Sequence, residues 1–116
     1  MSVAFNGMEN QVVTFRAETG EAGDVVAMEY NDQVTTASDG TAPVGILLNK
    51  RCDYGAVQIK GFVQVSYSGS AAPSLGWNSF VADGEGGLRL AADGETGRPC
   101  LVVNLNTYSK IVGLFL

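Results

Sequence analysis

Turn signals recur along this chain, and the runs between them are short and apolar or β-branched. Asn6-Gly7, Gly20, Gly23-Asp24, Asn31-Asp32, Asp39-Gly40, Asp83-Gly84, Gly86-Gly87, Asp93-Gly94 and Gly97 all read as turns. Asn and Asp cap such turns with their side chains, and Gly accepts the positive φ they need. This punctuation predicts an all-β chain: a small single-domain barrel or sandwich built from hairpins, with little or no helix. The stretch "APSLGWNSF" offers at most one helical turn, because Gly76 interrupts it.

The clearest strand runs over Ala56–Tyr67, "AVQIKGFVQVSY". Val57, Ile59, Gly61, Val63, Val65 and Tyr67 share one face; Gln58, Lys60, Phe62, Gln64 and Ser66 share the other. A period of two over this length predicts a half-buried strand, with room at Gly61 for a bend or bulge. Phe62 is the apolar exception on the polar face, either a lone exposed aromatic or a partner contact. Further strands are expected over 12–16, 24–29, 34–37, 44–49, 78–82, 88–91, 100–105 and 110–116. Residues 11–116 are read as one β domain, and 1–10 as an N-terminal arm or first edge strand. Val3 and Phe5 are the arm's candidate contact residues, since an extended segment can add to a neighbouring sheet edge.

Two runs have no evident wet face: "PVGILL" and the closing "IVGLFL". A strand that is apolar on both faces must be covered on both. In Val44–Leu48, the set Val44, Ile46 and Leu48 is expected inside, with Gly45 and Leu47 facing outward. A domain of 116 residues makes one modest core and has little material for an extra layer. A second subunit is therefore the expected cover for Leu47, and by the same logic for the Phe115 side of the last strand. Only 16% of residues are charged, which fits a surface partly covered by neighbours.

Chemistry is hard to find. There is no histidine, which removes the commonest general base and metal ligand. No nucleophile elbow, phosphate loop or paired-cysteine motif occurs. Asp24, Asp39, Asp83 and Asp93 each adjoin a Gly and read as turn caps rather than as acid–base pairs or calcium ligands. The expectation is no enzyme, no cofactor and no metal. The net charge of −5, with basic residues scattered singly apart from Lys50-Arg51, argues against nucleic acid and anionic membranes as partners. No run is long enough to span a bilayer, and the first residues lack the pattern of a signal peptide, so assembly in a cytoplasm is expected. Cys52 and Cys100 are then expected to stay reduced. Trp77, the single tryptophan, is read as core or as an interface anchor.

Within the chain, "ASDGTAPVGILLN" is echoed by "AADGETGRPCLVVN", and "PVGILL" by "IVGLFL". Reused hairpin grammar and a duplicated β unit both account for this. The order of elements over Ala22–Leu116 is "AGDVVAM", "QVTTASDGTAPVGILL", "GAVQIKGFVQVSY", "LGWNSFVAD" and "GRPCLVVNL", then the last apolar strand. This series resembles the small capsid decoration (cement) proteins of tailed bacteriophages. The resemblance implies a β-barrel-like virion protein, often a trimer, on the outer capsid surface, where it bridges major capsid subunits. It implies the major capsid protein and further copies of the chain as partners, and the residues expected to make the contacts are Val3, Phe5, Leu47, Phe62 and Phe115. The alternatives are another virion component such as a tail subunit, or a carbohydrate-binding β module using Trp77 and the tyrosines.

Overall fold

Gly61 takes φ +109°, a left-handed conformation open to glycine but costly for other residues, and there the long alternating run breaks in two. A computed structural model describes residues 10–116, and among these it has ten strands and no helix. The strands are β1 (Gln11–Arg16), β2 (Val25–Tyr30), β3 (Gln33–Thr36), β4 (Gly45–Arg51), β5 (Tyr54–Lys60), β6 (Phe62–Ser66), β7 (Gly76–Ala82), β8 (Leu88–Leu90), β9 (Arg98–Asn106) and β10 (Ile111–Phe115). The all-β expectation holds, but the strand expected over 56–67 is two strands in different sheets. Gln58 seals the corner between them. Its Nε2 donates to Lys60 O at 3.2 Å and to Phe62 O at 3.1 Å, satisfying carbonyls on both sides of the break. Gln58 is therefore buried, although alternation placed it on the polar face.

The first five strands close into a barrel in the order β1-β3-β2-β4-β5, with β5 returning to β1. The last five form a sheet in the order β6-β10-β9-β7-β8. A parallel bridge from Tyr67 to Leu88 joins the two ends of that sheet, and Ser68 N donates to Leu88 O at 2.9 Å. The second unit thus repeats the first strand for strand. In each, the first strand meets the third in parallel, and all other pairings are antiparallel. The echo between 37–49 and 91–104 falls on the same link in both units, from third strand to fourth. The two turns are closed alike: Thr41 N donates to Ser38 O at 3.1 Å and Glu95 N to Ala92 O at 3.0 Å, with φ +86° at Gly40 and +87° at Gly94. This favours a duplicated β unit for that echo. The echo of "PVGILL" in "IVGLFL" joins β4 to β10, a fourth strand to a fifth, and is ordinary strand grammar.

Two clusters make the core. Val26, Val34, Leu47, Val57 and Ala17 fill the first barrel, with Phe15 and Ile59 against them. The larger cluster takes Val25, Ala27, Ala37 and Ile46 from the first unit and packs them with Val63, Val65, Tyr67, Phe80, Leu88, Cys100, Val102, Val112 and Leu114 of the second. Strands β2 and β4 are apolar on both faces because one face looks into the barrel and the other onto the second unit.

This corrects the expectation for Leu47. Its side chain is fully buried inside its own barrel, Ile46 is covered by the second unit, and no neighbouring subunit is needed for either. The second unit supplies the extra layer. Leu48, expected inside, is instead exposed: the β4–β5 register shifts between Leu47 and Asn49 and turns it outward. Gly45 lies against the β5 backbone, where a β-carbon would strike the Gln58 carbonyl. It therefore contacts its own sheet and needs no outside cover.

Candidate interaction surface

On the second sheet, inward and outward residues separate sharply. Val63, Val65, Cys100, Val102, Val112 and Leu114 point into the shared core. One row of outward residues is apolar. Phe62 on β6 pairs with Phe115 on β10, Phe115 pairs with Leu101 on β9, and Leu101 pairs with Trp77 on β7. Directly opposed residues on neighbouring strands have side chains in reach of one another. The four residues form a ladder across four adjacent strands. The Phe62 and Phe115 rings sit 5.4 Å apart between centroids, tilted by 59°, a favourable edge-to-face type of arrangement.

Phe62, Phe115 and Leu101 are half-buried, whereas Trp77 is 73% exposed. Leu75, just before β7, is 68% exposed. Beside the ladder runs a groove of about 490 Å3 lined by Lys60, Gly61, Trp77, Pro99, Leu101, Phe115 and Leu116. Lys60 is its only charged lining residue among the described residues. A larger but shallow hollow of about 920 Å3 is lined, among the described residues, by Met28, Glu29, Tyr30, Asn31 and Asp32, one strand end and its turn.

Of the five residues read from sequence as interface, the structure brings together Phe62 and Phe115. Leu47 belongs to the core. Val3 and Phe5 lie outside the described residues. Trp77 resolves toward the surface, and Leu101, Pro99, Leu116 and Leu75 were missed. The signal for Leu101 was present: it stands out of phase with Cys100 and Val102, the inward pair of β9. Nothing in the sequence says that its outward position falls in line with Phe62, Phe115 and Trp77.

The charged and polar groups are used elsewhere, in holding loops. Asp83 Oδ1 accepts from the amides of Glu85 at 2.7 Å and Gly87 at 3.0 Å, and its Oδ2 from Ser68 Oγ at 2.9 Å. Asp24 Oδ2 accepts from Glu21 N and Thr36 Oγ1. These are turn caps, as the Asp-Gly reading expected for them. Arg89 grips Glu95 through two bonds of 2.7 Å and Asp39 through one of 2.8 Å, joining the equivalent turns of the two units. The Arg89 fork, helped by the Ala92 amide, holds the Glu95 carboxyl down to about 2. Arg89 in turn is raised by the same bonds. Arg98 donates to Val44 O at 2.6 Å, Pro43 O at 3.3 Å and Ile59 O at 2.9 Å, three carbonyls of the first unit.

Both cysteines are free thiols. Cys52 is exposed at the β4–β5 turn, and burial pushes the Cys100 thiol up. Among the described residues, no group of three or more His, Cys, Asp or Glu is placed to hold a metal ion, and no helix is long and apolar enough to cross a membrane. A comparison with protein-family models finds no match, and a search of curated proteins finds none.

Proposed function

We propose that this chain is a structural virion protein that binds the outer surface of an assembled tailed-phage capsid and stabilises contacts between major capsid subunits. The observation that carries the reading is the apolar row that crosses the second sheet and ends on Trp77, 73% exposed, beside Leu75. A solvated tryptophan at the end of an apolar row is the kind of anchor that dominates protein–protein interfaces. The resemblance of the order of segments over Ala22–Leu116 to the small decoration proteins supports the same reading. The mechanism is mass action: a protein that binds only the assembled lattice stabilises that lattice. Many identical weak contacts, and assembly of the chain as a homo-oligomer with a trimer favoured, then add through multivalency.

The test is co-sedimentation with expanded phage heads stripped of small surface proteins, alongside unexpanded heads. Saturable binding to expanded heads is expected, and Trp77→Asp weakens it by about thirtyfold, the effect of losing one interface anchor. A strictly monomeric protein that binds neither kind of head and is absent from intact particles overturns the proposal.

The exposure of Trp77 also favours a second reading, a carbohydrate-binding module. Against it, the groove beside Trp77 offers, among the described residues, Lys60 as its single charged lining residue, and sugar recognition needs several hydrogen-bonding groups besides a stacking ring. A glycan-array hit abolished by Trp77→Ala favours this alternative.

A further inference from the structure

Asp-Gly occurs at three places among the described residues: Asp39-Gly40, Asp83-Gly84 and Asp93-Gly94. The dipeptide has a chemistry of its own, because glycine has no side chain to shield its amide nitrogen from the preceding carboxyl group. Two of the pairs are held. The Asp39 carboxylate takes a 2.8 Å bond from Arg89 Nε, and Gly40 N donates to Ala82 O at 2.9 Å. The Asp83 carboxylate accepts from Ser68 Oγ and from the amides of Glu85 and Gly87. Both glycines are crowded: a β-carbon on Gly40 would come within 2.9 Å of Glu95 Oε2, and one on Gly84 within 3.2 Å of Asp39. Asp93-Gly94 differs on every count. Both residues are exposed, and a β-carbon on Gly94 would meet nothing within 4 Å. Among the described residues, no hydrogen bond holds the Asp93 carboxylate or the Gly94 amide.

We infer that Asp93-Gly94 is the Asp-Gly pair at which this chain isomerises to isoaspartate, and that the change loosens the tie between its two units. Gly94 N attacks Asp93 Cγ. The N–H proton and the carboxyl OH leave together as water, and a succinimide ring forms. Water then adds to the ring at the Asp93 main-chain carbonyl, and the bond from that carbon to Gly94 N breaks. The main chain now runs through Cβ and Cγ, and a carboxylate is left on Cα. One water is lost and one gained, so the mass is unchanged and the main chain is one methylene longer. The turn that receives this methylene is closed by Glu95 N donating to Ala92 O at 3.0 Å, with Glu95 Oε1 accepting from Ala92 N at 2.8 Å. Lengthening the chain between them displaces Glu95, whose two oxygens each take a 2.7 Å bond from Arg89. Arg89 is the residue that also holds Asp39 of the first unit. The inference concerns the isolated chain and does not rest on the capsid reading.

The whole chain is aged for weeks at neutral pH, folded and in guanidinium chloride, then digested, and electron-transfer fragmentation locates isoaspartate. In the folded chain, conversion at Asp93 should exceed that at Asp39 and Asp83 by at least about tenfold, the factor one charge-assisted bond is worth when it must break first. In denaturant the three should convert alike, since the reacting dipeptide is the same. Deamidation at Asn6-Gly7, outside the described residues, is told apart by its change of mass. The urea midpoint of the aged chain at neutral pH should fall toward that of Glu95→Gln. Repair with isoaspartyl methyltransferase and S-adenosylmethionine should restore it. Ageing should leave the midpoint of Asp93→Glu in place, because the longer side chain does not close the succinimide ring. Equal conversion at the three pairs of the folded chain, or none at Asp93 while the denatured chain converts, overturns the inference. Isoaspartate at Asp93 that leaves the midpoint unmoved overturns the link to Glu95.

Discussion

Leu47 is the residue whose surroundings decide whether this chain needs a neighbour. Its sequence context, apolar on either side, fits equally a side chain pressed against another subunit and one packed inside. The structure places it wholly inside the first barrel with Val26, Val34 and Val57. Leu47→Ala is therefore expected to destabilise the isolated chain by about 3 kcal/mol, the usual cost of emptying a core leucine site. Urea unfolding checks this, and a change below about 0.5 kcal/mol, typical of surface positions, would contradict the placement. Trp77 is the reverse case, a residue type often found in cores that here stands outward at the end of a strand pairing.

The turn that divides β5 from β6 shows what a strand-sized element adds. Strict alternation runs straight through Ala56–Tyr67, yet Gly61 rotates the chain and passes it from one unit to the other. The corner is held by the Gln58 amide, which donates to one carbonyl on either side of it. Gln58→Leu keeps the side-chain size but leaves both carbonyls without that donor. The expected loss is about 1–3 kcal/mol, because buried polar groups left unpaired carry their desolvation cost. Thermal unfolding measures it, and faster hydrogen exchange at Lys60–Phe62 should accompany it. Were Gln58 on a wet face, the substitution would be nearly silent. The same logic explains Leu48: a register shift in the β4–β5 ladder reverses its facing without any change in composition.

At the scale of the molecule, two copies of one five-stranded unit share a core and are tied by two arginines. Arg98 reaches from the second unit to three carbonyls of the first. Arg89 joins Glu95 of one loop to Asp39 of its equivalent. The second tie is sensitive to pH. Arg89 holds the Glu95 carboxyl from its ordinary 4.5 down to about 2, so the folded chain binds fewer protons there than the unfolded chain. The stability this supplies is fully present above about pH 4.5 and is lost as pH falls toward 2. Glu95→Gln should therefore be less stable than the native chain at pH 7, with the difference shrinking below pH 4.5 and closing near pH 2. Urea midpoints across that range measure it, and a difference constant with pH would show that the carboxylate charge is not what holds the two loops.

Much of this architecture was legible in local chemistry. Gly, Asn and Asp at short intervals, with β-branched runs between, dictate hairpins; the Asp-Gly pairs mark turns; and the echo of 37–49 in 91–104 marks equivalent links in a repeated unit. These follow from backbone sterics and a period of two, which act within a few residues. Local chemistry leaves undecided which side of each strand is covered, and by what. Alternation defines two faces but not their fates, and a single positive-φ glycine or register shift exchanges them. Only the long-range pairing of β6, β10, β9 and β7 lines up Phe62, Phe115, Leu101 and Trp77. Only the packing of one unit on the other turns Ile46 into core, because residues far apart in the chain become neighbours through closure of the sheets.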